Sequence, residues 1–222
     1  MNCLLICPYF GEFPSWMAHY WVNASRLADH GYTIFVPQDE DDFRARVRAK
    51  MGIECPPMWG TGNVWDFRPA LAELYDDVVE EYDWWGHTDF DCVYGRVENY
   101  MTPQYLDGVD IYANHHDYIC GAWTLYRNTE VVNSLFRESP VWQQKMEDPN
   151  PTGWAEVEYT HVVDAAHAAG RINRKYEVLQ TRDWNRFDSC WLREDGALME
   201  GNDERMLAHF RRSKVYPERC KL

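Results

Sequence analysis

Residues 3–37, "CLLICPYFGEFPSWMAHYWVNASRLADHGYTIFVP", decide the fold class. Cys3 to Cys7 is an unbroken apolar run stopped by Pro8, the pattern of a strand buried on both faces. Pro14 to Gly31 follows with apolar residues at helical spacing and a glycine stop, and Tyr32 to Pro37 reads as a second buried strand. Strand, helix and strand within forty residues require a crossover connection, and therefore parallel strands joined in the right-handed sense. In an open sheet built this way a ligand sits beyond the carboxyl ends of the strands. The loop after Cys7, and whatever follows the later parallel strands, are the places to look for chemistry.

Working outward, "DEDDFRARVRAK" (39–50) is charged and only weakly helical by pattern, and "ECPPMWGTGN" (54–63) is a loop by its Pro and Gly content. Pro69 suits the first turn of a helix through "ALAELYDDVVEEY" (70–82), which leads into a third strand, "DWWGHTDFD" (83–91). "GVDIYANH" (108–115) and "YICGAWTLYRN" (118–128) read as paired strands. "TEVVNSLFRES" (129–139) reads as a helix capped by Asn128 or Thr129, and "AEVEYTHVVDAAHAAG" (155–170) as a helix ending at Gly170. "KYEVLQT" (175–181) is a strand, and "SCWLREDGALME" (189–200) a hairpin with Asp195-Gly196 at its tip. The tail mixes apolar residues with bases. The expected fold is α/β, with a mixed, mostly parallel sheet flanked by helices.

With 222 residues, 45% of them hydrophobic, the chain has material for a substantial core, and no repeat, linker or low-complexity segment divides residues 1–222 into more than one expected domain. Aromatic residues make up 15%, including eleven Trp and fourteen Tyr, enough for a densely packed core or for stacking on sugars and bases. A net charge of −14 argues against a nucleic-acid partner, since gripping a phosphate backbone needs clustered Lys and Arg. The opening residues carry neither a basic leader nor a cleavage site, and no run approaches the ~20 apolar residues of a membrane span, so a cytoplasmic protein without a transmembrane segment is expected. Peripheral contact with a membrane stays compatible with this. The seven cysteines stand singly at 3, 7, 55, 92, 120, 190 and 220 and read as free thiols.

Within "WWGHTDFDCVYGR" (84–96), Asp89 and Asp91 would project from one face of an extended segment while Phe90 turns to the core. Two carboxylates held together repel unless a cation lies between them, and Mg²⁺ or Mn²⁺ takes such oxygens and then grips a substrate's phosphates. The bland alternative is a solvated strand end. "DFDCV" also fits the D-x-D-x-V nucleophile loop of haloacid-dehalogenase-like phosphatases, although that class carries it on the first strand. A third reading is a non-catalytic carbohydrate-binding module that uses Trp faces and binds Ca²⁺ through the acidic pair.

"ICPYFG" (6–11), "DFRPA" (66–70), "WGHTDFD" (85–91), "TLYRNTE" (124–130) and "HFRRSK" (209–214) occur in an order that resembles a family of small bacterial and viral proteins similar to GT-A glycosyltransferases. The resemblance spans nearly the whole chain. It implies a GT-A-like nucleotide-diphospho-sugar transferase fold, a UDP-sugar or similar nucleotide-sugar donor, Mn²⁺ or Mg²⁺ as cofactor, and a glycan or lipid-linked glycan acceptor. Carried over by motif, Asp89, Asp91 and His209 would hold the metal, Asp89 also facing the donor, and Lys214 would contact phosphate with Arg211 or Arg212 assisting. His87, His115 and His116 compete with His209 for the imidazole role.

The same resemblance places the donor's base after the first strand, where Pro8, Tyr9, Phe10 and Gly11 stand; Tyr9 and Phe10 offer rings for stacking and Gly11 allows close backbone approach. Core packing is the alternative for Phe10. Asp66 and Arg68 are candidates for ribose and diphosphate, or else a helix cap beside a surface Arg, and Asp39 is a further ribose candidate. Gly121 resembles a glycine-bearing sugar-binding turn, with Trp123 able to stack on a pyranose. If the reaction inverts the anomeric centre a carboxylate must take the acceptor's proton, and Glu156, Glu158 and Asp117 are the candidates.

Overall fold

The computed structural model describes residues 1–57, 64–119, 121–150, 152–180 and 190–210. β1 (Cys3–Ile6), α1 (Met17–Ala24) and β2 (Tyr32–Phe35) form the expected crossover unit, with parallel register from Cys3 opposite Tyr32 to Ile6 opposite Phe35. A 3-10 turn over Ser25–His30 carries α1 to Gly31, whose φ of 81° only glycine adopts without strain. β3 (Trp84–Thr88) lies parallel on the other side of β1.

The central sheet continues through β6 (Trp123–Arg127), β5 (Ile111–Ala113) and β7 (Arg174–Tyr176), in the order β2-β1-β3-β6-β5-β7. Only β6 runs against its neighbours, so the sheet is mixed and mostly parallel, flanked by helices. Alternate residues serve two separate cores. Leu4, Ile6, Trp85 and Tyr126 face one, and Cys3, Leu5, Trp84 and Leu125 face the other, which is why these strands read as continuous apolar runs. Gly86 sits where β3 and β6 approach most closely; a Cβ there would strike the Thr124 carbonyl.

Three departures from the sequence pattern have local causes. Residues 40–51 form a full helix, α2 (Glu40–Met51), because Asp39 caps it by accepting the Asp42 N–H at 3.0 Å, acids fill its first turn and bases its last, and Phe43, Val47 and Met51 bury one stripe. The helix expected over 70–82 is broken into a 3-10 segment (Val64–Ala70), α3 (Leu71–Leu74) and α4 (Asp76–Val79). At the break Tyr75 (φ −120°, ψ 39°) packs its ring on Phe35 and Phe43, and Arg46 Nη1 takes up the Leu74 carbonyl at 3.1 Å. The tail, finally, supplies a strand that its composition hides.

The remaining helices are α5 (Glu130–Ser134), capped by Thr129, α6 (Trp142–Glu147) and α7 (Glu158–Ala168). β8 (Cys190–Leu192), β9 (Leu198–Glu200) and β10 (Asp203–Arg205) make an antiparallel meander with Gly196 in its first turn, and β4 (Cys92–Tyr94) pairs antiparallel with the tail strand β11 (Leu207–His209). No helix among the described residues is long and apolar enough to cross a membrane.

Candidate functional site

β1, β2 and β3 end at one edge of the sheet, and the reversed β6 begins there, with Thr88 opposite Trp123. Cys7 to Phe10, Val36 to Asp39, Asp89 to Asp91 and Gly121 to Ala122 therefore meet along one rim. Thr88 fastens two of these pieces by donating Oγ1–H to the Ala122 carbonyl at 2.8 Å.

Asp89 and Asp91 are not on an extended segment, as their spacing alone suggested. They occupy the turn between β3 and β4, and what brings them together is that each places a carboxylate oxygen within 3.4 Å of the same imidazole nitrogen. Phe90 between them is buried edge-on to Tyr9 and Tyr20. β11 delivers the third group: His209 stands opposite Cys92 in the β4–β11 ladder, and Phe210 N–H extends the ladder to the Asp91 carbonyl at 2.8 Å. His209 Nε2 lies 3.0 Å from Asp91 Oδ1 and 3.4 Å from Asp89 Oδ2. Its side chain is 6% exposed, against 21% and 26% for the two acids, so the imidazole forms the floor and the carboxylates the wall.

Arg68, from the 3-10 segment, ion-pairs with Asp89 Oδ1. Burial pushes the Asp89 carboxyl above its usual range and Asp91 adds to this, while the Arg68 guanidinium and His209 oppose it. The guanidinium also fills the space that a side chain at Gly121 would need, and the Gly121 N–H donates to Glu156 Oε1 at 3.2 Å. Asp89, Asp91, His209, Arg68, Gly121 and Glu156 thus form one continuous group. Glu158 stays outside it, in the first turn of α7, 3.4 Å from Lys145 Nζ.

Other candidates are placed elsewhere. Asp66 does not face the rim: it is 2% exposed, and its Oδ2 accepts the Thr152 N–H at 2.7 Å and the Thr152 hydroxyl at 3.2 Å, while its carbonyl accepts Trp154 Nε1–H at 2.8 Å. It tethers the segment leading to Glu156. Asp39 spends its carboxylate on capping α2. Phe10 is buried against Phe43, with ring centroids 5.3 Å apart, and offers no face to a ligand. Trp123 is equally enclosed between Tyr32 and Tyr94, so it is no sugar platform. His87 packs beside Tyr126 within the sheet. Pro8 is buried, Gly11 is exposed with φ 121°, and Tyr9 remains half-exposed with its ring against Phe13 and Phe90. His115, His116 and Asp117 gather among themselves at the end of β5. Lys214, Arg211 and Arg212 lie outside the described residues, as do Cys120, Cys220 and positions 58–63 of the expected loop.

Sequence reading missed three supports. Asn23, fully buried on α1, clamps the β4 backbone by donating to the Tyr94 carbonyl at 2.9 Å and accepting the Tyr94 N–H at 2.7 Å. Thr152 holds Asp66, and Cys92 brings its Sγ within 4.8 Å of ligand atoms of Asp91 and His209. A buried Asn in an otherwise apolar helix face was the one signal available for the first. Cys7, on the same rim, is no nucleophile: burial pushes its thiol up to about 12.

Comparison with solved structures finds partial overlaps. A crystal structure of "a glycosyltransferase involved in the glycosylation of the major capsid of PBCV-1" shares 12% identity, with a TM-score of 0.46 over 81% of this chain and 84% of that one. A197 from STIV shares 12% identity, with a TM-score of 0.40 over 91% and 95%. Overlap of that extent leaves the chemistry to this chain's own residues. No curated protein matches the sequence. A family match does extend over residues 41–216, from the start of α2 past the tail histidine, and on that span the chain belongs to the family of unknown function DUF6625.

Proposed function

We propose that this protein is a metal-dependent glycosyltransferase that takes a sugar from a nucleoside diphosphate donor, uridine-based in our reading, and passes it to a glycan or lipid-linked glycan. The observation that supports this most is the meeting of Asp89, Asp91 and His209 at the carboxyl edge of a mostly parallel sheet. The donor set suits the ion: two carboxylate oxygens lie within 3.4 Å of one imidazole nitrogen, an arrangement of hard oxygen ligands plus one nitrogen that Mn²⁺ or Mg²⁺ accepts. Asp89, Asp91 and His209 would hold it, and once bound it would supply Lewis-acid neutralisation of the departing diphosphate.

The chain's own residues do the rest. Arg68 sets a planar guanidinium beside Asp89, suited to a phosphate oxygen, and Lys214 is its partner by the sequence resemblance. Tyr9 offers the half-exposed ring for the base. Glu156, oriented by the Gly121 N–H, is the base in this reading: the acceptor oxygen bonds to the anomeric carbon, its proton passes to Glu156, and the bond to the diphosphate breaks. Calorimetric titration with UDP is expected to show binding with Mn²⁺ that weakens at least tenfold without it and in Asp91→Ala. Glu156→Gln should keep that binding and lose at least a hundredfold in transfer rate. UDP binding that ignores both the metal and Asp91→Ala would sink the proposal.

A further inference from the structure

At the far end of the same sheet edge, residues 114–119 form a loop pinned at both ends. Asn114, fully buried, accepts the Leu179 N–H on Oδ1 at 2.7 Å and donates its own N–H to the Trp123 carbonyl at 3.0 Å; Ile119 N–H donates to Thr160 Oγ1 at 3.0 Å. Between these anchors His115 is held by Tyr118, centroids 3.6 Å apart, and by the stacked ring of His116 at 4.2 Å. The Asp117 carboxylate reaches across both imidazoles. Its Oδ1 is 2.7 Å from His115 Nδ1 and its Oδ2 3.5 Å from His116 Nε2, and one donor atom from each of the three residues lies within 4.8 Å of the others.

Donors about 2.0–2.2 Å from one zinc ion at tetrahedral angles stand about 3.4 Å apart; His115 lies 2.7 Å from one Asp117 oxygen and His116 3.5 Å from the other, so the carboxylate would face the ion with both oxygens. A ring nitrogen and a carboxylate oxygen at 2.7 Å need a proton or a cation between them. We propose that His115, His116 and Asp117 form a second divalent-cation site, distinct from the acidic pair and selective for nitrogen-preferring ions such as Zn²⁺ and Co²⁺. Three protein ligands leave a fourth position to water or to an oxygen of a ligand. Two imidazoles against one carboxylate invert the preference of the Asp89, Asp91 and His209 group, which is richer in oxygen. β6 separates β5 from β3, so strand spacing sets the two groups roughly 10 Å apart along the rim.

The test is zinc and manganese titration of protein without an affinity tag, followed by calorimetry, with Co²⁺ absorption as the optical readout. The wild-type chain is expected to bind one more equivalent of Zn²⁺ than His116→Ala does, and this equivalent should persist in Asp89→Asn/Asp91→Asn and bind Mn²⁺ at least tenfold more weakly. The His116 side chain is 70% exposed, so its removal leaves the fold intact, which circular dichroism verifies. Zinc stoichiometry unchanged by His116→Ala, or zinc uptake that vanishes with the acidic pair, would overturn the proposal.

Discussion

At Gly121 the missing side chain matters as much as the backbone. Its N–H holds Glu156, and the empty volume beside it is occupied by Arg68. A methyl group there would overlap Arg68 Nη1 and stand 2.7 Å from Glu156 Oε1. Both are ends of flexible side chains, so the fold can absorb the change while the two groups lose their positions. Gly121→Ala is expected to leave the melting temperature within about 4 °C, the shift that ~1 kcal/mol gives at this size, and to cut glycosyl transfer at least tenfold in a donor-turnover assay. Arg68 and Asp66 illustrate what single residues conceal: two positions apart in "DFRPA", one reaches the acidic pair and the other turns inward. The inward turn depends on Thr152, 86 residues away, and no local pattern announces such a partner.

Between elements, α1 and β4 are joined by the two hydrogen bonds of Asn23 with the Tyr94 backbone. β4 in turn aligns β11, so the placement of His209 depends on this clamp. Asn23→Ala strips both partners from a buried backbone N–H and C=O; denaturant titration is expected to show a loss of about 3 kcal/mol, and Mn²⁺ affinity should fall with it. The strands β1, β3, β5 and β6 were legible because burial on both faces writes apolar runs into the sequence, whereas β2, expected to be buried as well, is an edge strand in which only Tyr32 is buried. The break at Tyr75 was not legible, since it is set by Arg46 and by ring packing from distant elements. β11 is three residues long, too short for any periodicity, and only the motif resemblance pointed to its histidine.

For the molecule as a whole, buried carboxyls couple stability to pH. Burial raises Asp66 above its usual range, and Asp89 is raised likewise. A carboxyl with a raised folded value binds its proton more tightly folded than unfolded, so its contribution is complete below the unfolded value of about 4 and is lost as pH rises through the raised value. Asp66→Asn is expected to flatten the decline in melting temperature over that window; an unchanged pH profile would assign the decline elsewhere. The topology of the first crossover and the rim at the carboxyl ends of β1, β2 and β3 were legible from strand order alone, whereas the turn that carries Asp89 and Asp91 was not. One feature of that rim bears on how the protein comes into being. His209 meets Asp91 across 118 positions of chain. A ribosome therefore releases both acids long before the imidazole that meets them exists, and the group proposed above to hold an ion cannot be complete until β11 has docked against β4.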